Sequence, residues 1–95
     1  MGPTLAETCT ITVTIVNRLG LHARPAMSFV DLASTFPCDI KVRKADTEVD
    51  GKSIMQMMML AASKGSQLEI TASGDQAQNA CKALKSLVDG GFEEE

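Results

Sequence analysis

Residues 9–16 alternate in character: Cys9, Ile11, Val13 and Ile15 are apolar, while Thr10, Thr12 and Thr14 are polar. A period of two belongs to a strand with one buried face, so this segment is predicted as a strand. The pattern lapses over residues 17–21, where Gly20 breaks the chain, and a loop is expected. Ala26, Phe29, Val30 and Ala33 then recur at helical spacing, with Pro25 in the first turn, where proline is tolerated. Phe36-Pro37 is the predicted stop, because proline disfavours helical backbone in the residue before it.

Alternation returns with Cys38, Ile40 and Val42 against Asp39, Lys41 and Arg43, a second strand. A tight turn over 44–47 leads to a short strand over 47–50, ended by Asp50-Gly51. Residues 53–60 read as a short helix, in which Ser53 and Gln56 have the spacing of a capping box. Lys64-Gly65 breaks the chain, and Leu68, Ile70 and Ala72 alternate with Gln67, Glu69 and Thr71 in a fourth strand. The last helix carries Ala77, Ala80, Cys81, Leu84, Leu87 and Val88 on one stripe. Asp75 and Gln78 have capping-box spacing at its start, and Gly90 is placed to cap its end.

The three clearest strands each keep one polar face, which points to an antiparallel sheet with helices on one side and water on the other. The expected fold is α+β: an open-faced two-layer β-α-β-β-α-β-α sandwich, a four-stranded antiparallel sheet with three helices on one face. Residues 1–95 are expected to form a single domain with a modest core.

Composition narrows the chemistry. The net charge of −3 gives no general attraction to nucleic acid. Part of the acidic charge is the tail Glu93-Glu94-Glu95, expected to be solvated and frayed. Cys9, Cys38 and Cys81 are odd in number and widely spaced, and with a single histidine they make a poor metal set. Each falls on an apolar-facing position, so buried reduced thiols in a reducing cytoplasm are expected. No stretch approaches membrane-spanning length, and residues 1–10 lack the basic start and apolar run of a signal peptide. Met1-Gly2 is followed by Ala6 where a myristoylation motif has Ser or Thr.

The candidate chemistry gathers around His22, the one histidine, in Asn17-Arg18-Leu19-Gly20-Leu21-His22-Ala23-Arg24-Pro25-Ala26. The first amides of a helix lack intrahelical partners, and the helix dipole adds positive potential there, so phosphate is welcome. With a helix beginning at Ala23, His22 is the N-cap and lies beside the amides of Ala23 and Arg24. The Arg24 guanidinium can pair with phosphoryl oxygens in a planar fork. A free imidazole titrates near neutral pH, so a fraction is neutral and nucleophilic, able to accept a phosphoryl group covalently. With no base or water-activating group nearby, an exposed loop favours onward transfer over hydrolysis. Against this stands the plain reading of a cap or surface histidine. A Ser/His/Asp or Cys/His hydrolase needs a nucleophile near His22, and all three cysteines are patterned inward. A zinc site with one histidine and dispersed cysteines is weaker again.

The segment Gly20-Leu21-His22-Ala23-Arg24-Pro25-Ala26 resembles the active-site signature of HPr, the histidine phosphocarrier of the bacterial phosphoenolpyruvate-dependent phosphotransferase system. A second segment, Gly51-Lys52-Ser53-Ile54-Met55, resembles that around the family's regulatory serine. The separation of the two and the β-α-β-β-α-β-α order also match, so the resemblance covers about residues 8–92. It implies that His22 is phosphorylated on Nδ1 by enzyme I, with phosphoenolpyruvate as donor and Mg²⁺ required by enzyme I. Arg24 and the amides of Ala23 and Arg24 would support the phosphoryl group, which would pass to an enzyme IIA domain. Many sugar-type members have a short polar residue where Leu19 stands here. The stretch 17–26 and the Gly-Phe ending before acidic residues resemble the nitrogen-type branch, whose role is regulatory. Gly-Lys-Ser-Ile-Met resembles members controlled by a serine kinase.

Ser53 is expected to cap its helix, and the resemblance adds phosphorylation by an HPr kinase/phosphorylase. Residues 54–60 leave only Gln56 polar, yet a helix covering a sheet needs one apolar stripe. Met57 and Leu60 are assigned to the core. Ile54, Met55 and Met58 form another side, either packed under a loop or serving as a docking surface, for which methionine's flexibility is suited. The expected protein is therefore a monomeric cytoplasmic phosphoryl carrier with no metal or cofactor of its own. It is a component of a transfer chain more than a standalone enzyme. Its rivals are a regulatory protein whose phosphorylation state sets its affinity for kinases or transcription regulators, and a structural module in which His22 only caps a helix.

Overall fold

The computed structural model describes residues 7–94. The expectations about Met1-Gly2, Ala6 and Glu95 lie outside that range. Strands β1 (Thr8–Thr14), β2 (Asp39–Lys44), β3 (Thr47–Asp50) and β4 (Gln67–Ser73) alternate with helices α1 (Ala23–Ala33), α2 (Ile54–Met59) and α3 (Ala77–Asp89), in the order β-α-β-β-α-β-α. The strands form one sheet in the order β1-β4-β2-β3, and every pairing is antiparallel. This is the open-faced two-layer sandwich expected from the alternation.

The period of two decides which side is covered. Val13, Ile40, Val42, Val49, Leu68, Ile70 and Ala72 point into the core against the helices. Phe29, Ala26 and Val30 of α1, Met57 of α2, and Ala80, Leu84 and Val88 of α3 meet them there. Each large apolar side chain so buried contributes about 1.5–3 kcal/mol relative to exposure. The other face is polar. Thr10 and Thr71 stand directly opposite, with their Oγ1 atoms 3.2 Å apart, and Arg43 pairs with its register neighbour Glu69 at 2.7 Å. Such exposed cross-strand contacts fix register more than they add stability.

Local sequence rules failed at two helix ends. α1 stops at Ala33, not at Pro37, because its last turn tightens: the amides of Thr35 and Phe36 donate to Leu32 and Ala33 at 3.1 and 3.2 Å. The expected Asp75–Gln78 capping box is absent. The N-cap of α3 is Gln76, in the left-handed region at φ 67°, and the Gln78 amide donates instead to the Glu7 carboxylate at 3.3 Å. At the other end of α3, Gly90 is the C-cap, as expected, with φ −81°, and the left-handed residue is the next one, Gly91, at φ 67°.

α2 is held at both ends. Ser53 Oγ accepts from the Gln56 amide at 3.2 Å, while Gln56 Oε1 accepts from the Asp50 amide at 2.9 Å, so the capping box is completed one turn outside the helix. The Lys44 ammonium, from the β2–β3 hairpin, donates to the carbonyls of Leu60 and Ala61 at 3.2 and 3.3 Å. A cation at that end also complements the helix dipole. Gly51 allows close approach: a Cβ there would stand 2.6 Å from Ile40 Cγ2 and 3.3 Å from Phe29 Cε1. The glycine of Gly-Lys-Ser therefore has a packing reason. Ser53→Ala is expected to lower stability by about 1 kcal/mol, read as an earlier denaturation midpoint, whereas Ser53→Asp, which can still cap, is expected to cost less.

Candidate functional site

The loop between β1 and α1 is built around Gly20. It has φ +72°, and a Cβ would lie 2.6 Å from the Ala62 carbonyl oxygen and 2.9 Å from Ser63 Cα. The turn is thus pressed against the segment that follows α2, and the Leu21 amide donates to the Ala62 carbonyl at 2.8 Å. The Gly20 carbonyl receives two bonds, from the His22 amide at 3.0 Å and from Asn17 Nδ2 at 2.7 Å. Asn17 is a buried polar residue, 2 % exposed, whose Oδ1 has no partner among the described residues.

This clamp sets His22 at the N-cap of α1 with extended backbone. Its carbonyl accepts the first intrahelical bond, from the Ala26 amide at 3.0 Å. The amides of Ala23 and Arg24 precede that ladder, and Pro25 has none to offer, so the start of the helix presents two donors. The His22 ring makes no cap bond, and its side chain is 38 % exposed. Arg24 is exposed on the first turn and, among the described residues, makes no ion pair. It lines a cleft of about 340 Å³ with Ser28, Phe92, Glu93 and Glu94. The predicted cluster of His22, Ala23 and Arg24 is therefore assembled at one helix end.

The acidic tail departs from expectation. Glu94 is not frayed: its Oε1 lies 3.1 Å from His22 Nε2 and accepts from Asn17 Nδ2 at 3.2 Å. The premise that no base or water-activating group stands near the histidine is corrected with it, because the Glu94 carboxylate lies within hydrogen-bond distance of the ring. The cause is the end of α3. Gly91, Phe92 and Glu93 all have positive φ, at 67°, 57° and 61°, and turn the chain back toward the loop. Phe92 is buried, which offsets the cost of about 1–2 kcal/mol that a side-chain-bearing residue meets in that region. Neither Asn17 nor Glu94 was singled out in the sequence. A loop asparagine and a terminal glutamate are common, and 77 residues separate the pair.

Ser53 is half-buried at the start of α2, away from the histidine loop in sequence but on a helix that packs on α1. Met57 and Leu60 are in the core, as assigned. Ile54, Met55 and Met58 are exposed, Met55 to 80 %. Met59 on α2, Leu19 in the loop and Met27 on α1 are exposed too. The cysteines are free thiols, two buried and Cys9 half-buried. Burial pushes the Cys81 thiol up to about 12, helped by the neighbouring Cys9 thiol, so it stays protonated and unreactive at neutral pH. No helix among the described residues is long and apolar enough to cross a membrane.

Comparison with known proteins follows the same line. The family model described as "PTS HPr component phosphorylation site" matches residues 9–89. The phosphocarrier protein HPr of Pseudomonas putida is 51 % identical over 83 residues, covering 86 % of this chain and 92 % of that protein. The phosphocarrier protein NPr of Escherichia coli is 39 % identical over 85 residues, covering 88 % and 94 %. The crystal structure of HPr-C-His from Thermoanaerobacter tengcongensis superposes with a TM-score of 0.88 at 44 % identity, covering 92 % of this chain and 98 % of that one. A helix start that offers a histidine, free amides and an arginine, on this sheet order and with these relatives, places the chain in the HPr family, the phosphoryl carriers of the phosphoenolpyruvate-dependent phosphotransferase system.

Proposed function

We propose that His22 is the residue that carries the phosphoryl group, on Nδ1, taking it from phospho-enzyme I and passing it to an enzyme IIA domain in the cytoplasm. The observation that carries this reading is the N-cap placement of a partly exposed imidazole, bonded to Glu94 through Nε2, at a helix start that offers two amides outside the ladder and Arg24 on its first turn. The Nδ1 lone pair attacks phosphorus, the bond from phosphorus to the donor breaks, and its electron pair leaves with the donor. Arg24 and the amides neutralise the oxygens during transfer, the main task in phosphoryl chemistry. Incubation with enzyme I, Mg²⁺ and phosphoenolpyruvate is expected to yield one acid-labile, base-stable phosphate per chain. No uptake from several enzymes I would sink the reading.

The exposed Ile54, Met55 and Met58 are the proposed docking surface for these partners. Met55 is 80 % exposed, so it contributes little to the core and its exposure asks for another reason. Met55→Glu or Met58→Glu is expected to slow transfer from enzyme I about tenfold, by placing charge against an apolar partner face, with the denaturation midpoint within about 0.5 kcal/mol of the original. Transfer at the unaltered rate would remove the docking claim.

Ser53 is the proposed regulatory site. Phosphate at a helix start is electrostatically tolerated, so the fold is retained, while nearly two negative charges are added beside the docking surface. A serine kinase of the HPr type with ATP tests this site apart from His22. A second reading, service in the nitrogen-type regulatory branch, is favoured by Leu19, which is 66 % exposed beside the site. Rates measured with sugar-type and nitrogen-type enzyme I discriminate the two.

A further inference from the structure

The geometry points to Glu94 as a positioning residue for phosphoryl transfer: its carboxylate holds the hydrogen on His22 Nε2, leaves the lone pair on Nδ1, and balances the charge that forms when Nδ1 bonds to phosphorus. This rests on the reading of His22 as the phosphoryl acceptor. Glu94 Oε1 lies 3.1 Å from His22 Nε2, and a carboxylate can only accept, so the ring nitrogen facing it is the one that carries hydrogen. In a neutral imidazole the other nitrogen then holds the lone pair. Which nitrogen can attack is thus settled by a residue that never touches phosphorus.

The carboxylate is itself held in place. Asn17 Nδ2 donates to the same Oε1 at 3.2 Å and to the Gly20 carbonyl at 2.7 Å. Asn17 is 2 % exposed and, among the described residues, finds no partner for its Oδ1. A buried amide that forgoes one bond while spending both donors on this loop and this tail is placed for the contact rather than for its own satisfaction. Phe92, two residues before Glu94, is buried and anchors the returning chain, and the Glu94 amide donates to the Gly91 carbonyl at 2.9 Å. The tail meets the ring at Nε2, and among the described residues no hydrogen bond is made at Nδ1.

The charge balance follows from the step. Neutral His22 forms the Nδ1–P bond with its lone pair while Nε2 keeps its hydrogen, so the ring becomes cationic. The donor departs with the electron pair of its broken bond. An adjacent carboxylate favours that cationic ring over the neutral one, the same service a carboxylate gives a histidine that gains charge during catalysis. Because the pair is partly exposed, the gain is modest. Partners that orient metal-bound histidines from behind are worth about 10–100-fold, and the expectation here is the lower limit, about tenfold.

The test compares the whole chain with Glu94→Ala and Glu94→Gln, with Glu48→Ala, on the solvent edge strand β3, as a charge control. Phosphorylation by phospho-enzyme I is followed as a rate, and the two ring nitrogens are followed by ¹⁵N resonance at a pH where the ring is neutral. Glu94→Ala is expected to slow uptake about tenfold and to draw the two nitrogen signals toward each other, as the two tautomers mix. Glu94→Gln keeps an acceptor but no charge and is expected to fall between the two in rate. Glu48→Ala is expected to match the unaltered chain. An unchanged rate, an unchanged nitrogen signature, or faster uptake, which would make the tail an obstacle, each overturns the role of Glu94 while leaving His22 as acceptor. Absence of uptake by the unaltered chain overturns the carrier reading and this inference together.

Discussion

His22→Ala is expected to abolish phosphate uptake from phosphoenolpyruvate and enzyme I while leaving the fold almost unchanged. The chain has no other histidine, so no second imidazole can take over. The ring makes no cap bond and is partly exposed, so removing it leaves no closed cavity and, among the described residues, breaks the hydrogen bond with Glu94 alone. Substitutions of that kind stay within about 0.5–1 kcal/mol. The two readouts therefore separate the carrier from the structural module. A helix cap would lose stability and leave any phosphate chemistry intact, whereas a carrier residue loses the chemistry and keeps stability. Acid-labile phosphate on the His22→Ala chain would show that another group accepts it.

Gly20→Ala has the second large effect, and on both counts. The added Cβ meets backbone, the Ala62 carbonyl at 2.6 Å and Ser63 Cα at 2.9 Å, and neither can swing aside as a side chain would. The φ of +72° adds the cost of the left-handed region to that of the overlap. Together these are expected to lower stability by about 3 kcal/mol, read from the urea midpoint. Transfer should also slow, since the Gly20 carbonyl takes the bonds from Asn17 and from the His22 amide that set the histidine at the helix start. Gly65→Ala provides the comparison. Gly65 has φ +92° but nothing within 4 Å of a Cβ, so only the backbone term applies and a loss of about 1 kcal/mol is expected. Equal losses at the two glycines would mean that the close approach at Gly20 carries no weight.

The motif glycines were visible in the sequence, but the reasons for them were not. Gly20 reads as a loop breaker, and its contact with the segment after α2 depends on how α2 packs. Gly51 reads as the start of Gly-Lys-Ser, and its need for open space comes from Ile40 and Phe29 on two other elements. The methionine helix shows the same division. Its excess of apolar residues was plain, and the split between buried Met57 and exposed Met55 followed from one helix covering one face. That Met59, Leu19 and Met27 are exposed as well depends on the neighbours of each position.

What the order of residues settled alone is what local physics settles. Periods of two and of 3.6 place the strands, the helices and their inward faces, because burial of one face acts on every residue of an element at once. The same local reach puts His22, Ala23 and Arg24 at one helix start, since they are neighbours in the chain. Contacts that join distant segments needed the folded molecule. The strand order β1-β4-β2-β3, the Gln76 N-cap of α3, and Glu94 against His22 each depend on where separate elements come to rest. A terminal glutamate carries no periodic signal, and only the buried Phe92 and three left-handed residues turn it onto the histidine.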